Sequence, residues 1–349
     1  MDAVPIDVLT ETISRIFTAS GLSERPSRVV AGSLVDADCR GIPSHGAMLV
    51  PMYVERIRRG SVSTAQTAEV VADLAAVATL DGRNALGQLT GDQAMRLAVA
   101  KSKEFGIGAV TVRHAFHFGG AFRYVLAAAE QGCVGLAAAN TRPLMPAPGG
   151  AAPVVGNNPL ALAAPVPGRA PIVLDMALSE AALGKVRIAA AEGRQIPATW
   201  STDADGVPTT DPTAALAGML LPAGGPKGYG LAVMVDVLTG VLSGGAFGAG
   251  VSGLYADTAV PNDCAHFFLA LDPAAFGGTF EEQMRTFATN IANTPAAPGI
   301  DRVYLPGELE ALRHEKARVE GVRLEPAVRS ALIDTARSLG VELAIGGVR

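Results

Sequence analysis

Pro159-Leu-Ala-Leu-Ala-Ala-Pro165 and Pro171-Ile-Val-Leu-Asp175 are two apolar runs of strand length, separated only by Val166-Pro-Gly-Arg-Ala170. A parallel pair needs a crossover of a dozen or more residues, so this short Pro/Gly gap predicts antiparallel neighbours. Working outward, AVATLDG (76–82), IGAVTVR (107–113), VGLAAA (134–139) and HFFLALD (266–272) are further strand candidates. Helical spacing runs through 88–105, 120–131, 179–192 and 228–243. Strand–helix alternation permits parallel pairs as well, so the residues predict an α/β body around a mixed sheet.

Both chain ends read as helical. Ile6, Leu9, Ile13, Ile16 and Phe17 share one face. Ser23 is placed to cap a second helix, with Pro26 in its first turn, and Pro43-Ser44 open a third that carries Met52, Tyr53 and Ile57 up to Gly60. Segments 279–293 and 325–339 return to helical spacing. The expected organisation is a helical part at 1–66, an α/β domain at 67–278, and C-terminal helices at 279–349 packing back on the N-terminal part.

With 349 residues, 49% hydrophobic and 17% charged, the chain has a globular profile and enough length for two lobes. The net charge of -5, with both signs scattered, argues against a nucleic-acid partner. No leader-like apolar stretch stands near the start. The most membrane-like window, 228–247, carries Asp236 at mid-span and several glycines, which reads as a buried core helix rather than a membrane span. Cys39, Cys133 and Cys264 are odd in number and far apart, so neither a disulfide framework nor a zinc site is expected, and a cytoplasmic setting suits them.

Gly248-Ala-Gly250-Val-Ser-Gly253 matches the spacing of a dinucleotide-binding turn. That turn needs a strand before it, a helix after it and an acid about twenty residues on. Here a helix precedes and LYADTAVPND follows, so a flexible loop is expected and not a Rossmann phosphate site.

Five other segments carry groups suited to chemistry. In Arg40-Gly-Ile-Pro-Ser44-His45-Gly46, a histidine that titrates near neutrality stands beside a hydroxyl and a glycine; it is a candidate proton shuttle, or else Ser44 is a plain cap. Arg113-His114-Ala-Phe-His117-Phe118-Gly119-Gly120 follows a strand and opens a helix, where free N–H groups and two glycines suit an anion. His114 and His117 also form a conceivable metal pair, though no carboxylate or cysteine stands by to complete it. Asn140-Thr141-Arg142 with Gly156-Asn157-Asn158 are polar tips around strand ends, suited to a ligand or to ordinary turns. Asp175 ends a strand and leads to Gly184-Lys185, and Gly224-Gly-Pro226-Lys227-Gly228 places a lysine where a helix begins, a sensible phosphate partner.

The order of the motifs is more specific than any one of them. RGIPSHG (40–46), Tyr53, LDG (80–82), HAFHFGG (114–120), GNNP (156–159), LDMALS (174–179), GKV (184–186), DADGVPTTDP (203–212), PKGYGLA (226–232), LSGG (242–245) and LPGE (305–308) follow in sequence. Over about residues 5–325 this resembles the malate/L-lactate dehydrogenase family that lacks a Rossmann fold, also called type-2 lactate dehydrogenase or sulfolactate-dehydrogenase-like. The resemblance implies a mostly antiparallel sheet with flanking helices, a helical domain built from both chain ends, and a homodimer. It implies reduction of small 2-oxo acids to 2-hydroxy acids, or of cyclic 2-imino acids, with NAD or NADP as cofactor and no metal.

By matching residues, the resemblance makes His45 the proton donor with Ser44 beside it. It puts His117, Phe118, Gly119, Gly120 and Ala121 at cofactor and substrate, and Thr141 at substrate. Asp175, Met176, Ala177, Pro226, Lys227, Pro306, Gly307 and Glu308 fall in cofactor-contacting stretches. Arg142 and Lys185 are candidates, from their chemistry, for the substrate carboxylate. Three positions depart from the family: Leu49 stands where many members have arginine, Lys185 where the imine-reducing branch has aspartate, and Pro226 where histidine usually precedes the lysine. The first two favour a small anionic hydroxy or oxo acid over cyclic imines. A non-catalytic dinucleotide-binding protein is the reading of another class, and the intact Ser44-His45 pair argues against it.

Overall fold

The computed structural model describes residues 3–342. The N-terminal helices are α1 (Ile6–Ala19), α2 (Glu24–Cys39) and α3 (Val50–Arg58), with short 3-10 turns at Pro43–His45 and Ala47–Leu49 between the last two. The expected single helix opening at Pro43 is therefore interrupted. Gly46 is extended, with φ -99° and ψ -151°, and breaks the helical run just after His45.

The α/β body follows in order: β1 (Glu69–Leu74), β2 (Val77–Asp81), α4 (Gly87–Phe105), β3 (Ile107–Ala115), α5 (Phe122–Glu130), β4 (Val134–Ala139), β5 (Met145–Pro146), β6 (Pro153–Val155), β7 (Leu160–Ala164), β8 (Ile172–Met176), α6 (Leu183–Ala191), α7 (Pro212–Ala217), α8 (Pro226–Asp236) and β9 (Cys264–Leu271). The chain ends in α9 (Phe280–Ala292), α10 (Glu308–Glu320) and α11 (Pro326–Ser338).

Seven strands form one sheet in the order β1-β2-β3-β9-β4-β7-β8. Only β2 and β3 run parallel. The other five neighbours are antiparallel, including β7–β8 with Leu162 opposite Leu174. The sheet is thus mixed and mostly antiparallel, as expected. β9 is packed against by α4 and by the helical turn at 237–241, and Phe268 and Ala270 are fully buried. Phe268 meets the rings of Tyr124 at 5.2 Å and Phe118 at 6.2 Å. Burying one such ring contributes about 2–3 kcal/mol, which helps hold a late strand between two early ones.

β1 is an exposed edge strand, secured by the nearly buried Lys101 of α4 pairing with Asp73. The N-terminal helices form a separate core in which Leu9, Ile13, Ile16, Phe17, Leu34, Leu49 and Tyr53 join Ala317 of α10 and Leu332 of α11. α9, which the sequence groups with that body, buries Ala288 in another cluster with Val166 and Leu305.

The apolar segment 228–243 differs from the expected buried helix. Ala232, Val235, Thr239 and Gly240 face inward, whereas Leu231, Met234, Val241 and Leu242 are exposed, because a helix apolar all round has only one side covered within one chain. Among the described residues no helix is long and apolar enough to cross a membrane.

Topology gathers the chemistry at one end of the sheet. The antiparallel pattern points the C-terminal ends of β2, β3, β4 and β8 the same way, and β7 and β9 begin there. Residues 116–121, 140–142, 157–158, 177–179 and 253–263 therefore flank a common edge.

Candidate active site

His45 ends the first 3-10 turn after α2, where Ile42 to Gly46 close tight backbone bonds, His45 N–H to Ile42 O and Gly46 N–H to Pro43 O, both 3.0 Å. Ser44 Oγ lies 2.9 Å from His45 Nδ1. The His45 ring stacks on His117 with centroids 5.5 Å apart and 29° between planes. His45 stays partly exposed, and desolvation by its neighbours holds its pKa below the ordinary 6.5.

His117 is held from behind. Its Nδ1 lies 2.7 Å from Tyr53 Oη, and Gln88 Nε2 donates to the same oxygen at 3.1 Å. Burial pushes the Tyr53 phenol well above its usual range, so it keeps its proton. With its oxygen accepting from Gln88, Tyr53 donates to His117 Nδ1, which places the histidine's own proton on Nε2. Desolvation, then the nearby His45 and His266, push His117 down to about 3. It is a neutral N–H donor throughout the working range. This close packing depends on Gly87, where a Cβ would lie 2.1 Å from Phe116 O and 2.7 Å from His117 O.

The other histidines serve elsewhere. His114 Nδ1 lies 2.9 Å from Asp81 Oδ2, and Arg113 Nε donates to the same oxygen at 3.3 Å. His114 and His117 thus turn to different partners, and no trio of metal-ligating side chains gathers among the described residues. His266 is buried and stacks on Phe118 at 4.5 Å.

Thr141 follows β4. Its N–H donates to Asn158 Oδ1 at 2.9 Å and its hydroxyl to Asn157 Oδ1 at 3.1 Å. Asn158 in turn donates to Ala232 O and Asp236, and Asn140 donates to Asp236 Oδ1 at 3.1 Å, a buried frame that fixes both tips. Arg142 is exposed, with no hydrogen bond or ion pair of its guanidinium among the described residues. Its side chain runs along Gly253, where a Cβ would meet Arg142 Cδ at 2.8 Å.

Three of the four cofactor candidates meet at β8, and the fourth is tied to its end. Asp175 Oδ2 accepts the Phe122 N–H at 2.8 Å and so caps α5. Desolvation raises Asp175 to about 6, partly opposed by the N–H groups of Phe122 and Ala121. The expected free helix start after Gly119-Gly120 is thus already taken by a carboxylate, and a phosphate does not fit there. Val173 N–H donates to Pro306 O at 3.0 Å, docking Pro306-Gly307-Glu308 on the same strand, and Glu308 pairs with Arg302 at 2.8 Å. Leu178, just past Met176-Ala177, accepts from Ala223 N–H at 2.9 Å, so the Pro226-Lys227 loop is tied to the end of β8. α8 has no side-chain cap, and Gly224 and Gly225, with φ +62° and +64°, have open space where a Cβ would be. Those free N–H groups and the exposed Lys227 fit an anionic phosphate.

Gly248–Gly250 is a 3-10 turn after a helix, with no strand before it, so it lacks the context of a phosphate-binding turn. Lys185 is exposed on α6, and its side chain makes no hydrogen bond or ion pair among the described residues. Leu49 is 1% exposed and belongs to the helical core.

Three partners escaped sequence reasoning: Gln88, Arg56 and the positioning role of Tyr53. Arg56 is fully buried, and its guanidinium donates to Leu254 O, Gly253 O, Val260 O and Ser61 Oγ at 2.8–3.2 Å. A polar residue on the inward face of an otherwise apolar helix was the available signal.

With this geometry in hand, the known proteins align throughout. The family model of malate/L-lactate dehydrogenase matches residues 4–333. The chain is 36% identical to a malate dehydrogenase of Pyrococcus abyssi, covering 97% of this chain and 95% of that one. It is also 36% identical to a ureidoglycolate dehydrogenase (NAD(+)) of Escherichia coli, covering 95% of each. The solved sulfolactate dehydrogenase of Methanocaldococcus jannaschii superposes with a TM-score of 0.91 at 33% identity, covering 98% of both chains. A family match over nearly the whole chain, full-length similarity and a shared fold lead to one conclusion: the chain belongs to the malate/L-lactate dehydrogenase family.

Proposed function

We propose that the protein interconverts a small 2-oxo acid and its 2-hydroxy acid, with His45 as the proton-transferring residue and NAD or NADP as the cofactor. The observation that carries this reading is the Ser44–His45–His117 cluster, with one imidazole partly exposed and the next buried and neutral. The bound nicotinamide supplies or takes the hydride. Ser44 Oγ accepts from His45 Nδ1–H in both charge states, which leaves Nε2 to give a proton to the carbonyl oxygen or take one from the hydroxyl. His117 Nε2–H is a second donor toward the same oxygen, preorganised by Tyr53 and Gln88. Thr141 and the unpaired Arg142 hold the substrate carboxylate. Residues 117–121, 175–177, 226–227 and 306–308 hold the cofactor, with the phosphates at the start of α8 and Lys227. That the Escherichia coli relative is a ureidoglycolate dehydrogenase (NAD(+)) supports a nicotinamide.

The exposed Leu231, Met234, Val241 and Leu242 support a homodimer, which sedimentation reads directly. Three buried free cysteines support a reducing cytoplasm.

The test is a panel of 2-oxo acids and cyclic imines with NADH and NADPH. Turnover with at least one small anionic 2-oxo acid is expected, well above any imine. Turnover of imines alone, or of nothing, overturns the reading. The panel also settles Lys185, which in this reading lies outside the proton transfer. As an exposed charge it acts only on substrate approach, so Lys185→Asp lowers kcat/KM for all anions by a similar small factor, below about threefold, and less at high salt. A far larger loss confined to dianionic substrates places Lys185 in the pocket instead.

A further inference from the structure

The loop that carries His45 has one side chain reaching into it from the helix behind. Asp38, in the last turn of α2, accepts the Ala47 N–H on Oδ2 at 2.8 Å. Its carboxyl fills the space beside Gly46 so closely that a Cβ there would lie 2.0 Å from Oδ1 and 2.6 Å from Oδ2. All three atoms nearest that Cβ belong to Asp38, and the Gly46 backbone is one that any residue adopts. Ala47 is fully buried, so its N–H loses its acceptor if the carboxylate is removed, and the turn must shift for that group to find another. Among the described residues, the side-chain hydrogen bond of Ser44 and His45 is to each other, and the ring contact of His45 is with His117. The imidazole rides on a turn closed by its own backbone hydrogen bonds, and Asp38 is the side chain that ties the far end of that turn to α2.

We propose that Asp38 is a positioning residue for proton transfer, holding the Ser44-His45-Gly46 turn against α2 so that the His45 ring stays stacked on His117. This rests on the reading of His45 given above. Desolvation raises the Asp38 carboxyl to about 7, opposed by the Ala47 N–H. No charged neighbour contributes to that shift; the titratable groups beside it along α2 are Asp36, Cys39 and Arg40, and α10 brings Arg313 and His314 to the same end of α2. Of these, His314 and Arg40 engage Asp36, and Arg313 lies against Gly41. The ionised carboxylate is the stronger acceptor. The turn therefore tightens as pH rises through about 7, above the pKa of His45 itself.

The test uses the full-length protein and two readouts, turnover and the NMR titration of the His45 ring. Asp38→Ala is expected to cut kcat by about 10- to 100-fold with cofactor KM unchanged, and to move the His45 pKa up toward 6.5 as water enters behind the released turn. Asp38→Asn keeps an acceptor for Ala47 N–H. It is expected to restore turnover and the lowered His45 pKa while removing the step near pH 7 from the rate profile. Gly46→Ala should reproduce the Asp38→Ala defect, and in the Asp38→Ala background it should add almost nothing, since the atoms it strikes are gone. If Asp38→Ala leaves both the His45 titration and kcat unchanged, or if the two substitutions simply add, the proposal is overturned. If the titration moves while turnover does not, Asp38 holds the turn as proposed and it is the role of His45 that fails.

Discussion

Replacing His45 by alanine is expected to leave the fold and cofactor binding intact and to lower turnover by roughly two to four orders of magnitude, the usual contribution of a positioned general acid or base. The side chain makes few contacts that folding needs: it is partly exposed, and its partners are Ser44 and the face of His117. The direction of its pKa fixes the pH dependence. Because desolvation lowers it, His45 is neutral over most of the working range. Oxidation of a hydroxy acid needs that neutral form as base, so its rate falls as pH drops through the lowered pKa. Reduction of an oxo acid needs the imidazolium, so its rate falls as pH rises through the same value. His117 adds no limb of its own above about pH 4, since it titrates near 3. Near-normal turnover of the alanine variant in both directions would remove His45 from the reaction. Equal pH profiles in both directions would remove it as the proton carrier.

The parts of this molecule that were legible in sequence are those fixed by local rules. The gap of seven residues between β7 and β8 is too short for a crossover, and the pair is antiparallel with Ala161 opposite Asp175. The order of the sheet was not legible. β9 lies between β3 and β4 although it follows β4 by more than a hundred residues, and only the two-sided burial of its apolar run favours a central place. β1 was missed because an exposed edge strand has no buried face to impose alternation on Glu69–Leu74. α10 was missed because ELEALRHEKARVE buries only Ala317 and shows no apolar stripe.

The site divides in the same way. Residues that stand in motifs, such as His45 and His117, were visible one at a time, but their stacking depends on how α2 and β3 end against each other. The start of α5 looked open to a phosphate because the carboxylate that caps it comes from β8, more than fifty residues on. Leu49 reads in sequence only as a departure from a family arginine, and packing shows that it lies in the helical core.

The last expected result concerns Arg56, where a charge is buried without a counter-charge. Its guanidinium donates five hydrogen bonds, four of them to carbonyl oxygens in the segment 253–260, and it lies over the Phe116 ring at 5.7 Å. Among the described residues no carboxylate pairs with it; Asp257, the acid in that segment, pairs with Arg59 at 3.6 Å. Burial lowers its pKa, with Asp257 opposing at a distance. Each hydrogen bond to a charged donor is worth about 1.5–3 kcal/mol, while removing the ion from water costs several, so the net is a fraction of the gross sum. Arg56→Met keeps much of the volume, removes the desolvation cost and strands the carbonyls. A net loss of about 2–4 kcal/mol follows, because the loop recovers part of the deficit by moving toward water. Lysine at this position does not rescue, since one ammonium has three donors and no fork to span carbonyls on both sides. The functional effect should be selective. Arg142 packs on Gly253, inside the latched segment, so loosening that segment releases the proposed carboxylate-binding cation. Substrate KM rises, cofactor KM stays, and proteolysis finds a new site between residues 253 and 260. A variant with the parent's melting temperature and substrate KM would show that the loop is held by its other contacts and that the buried arginine is dispensable.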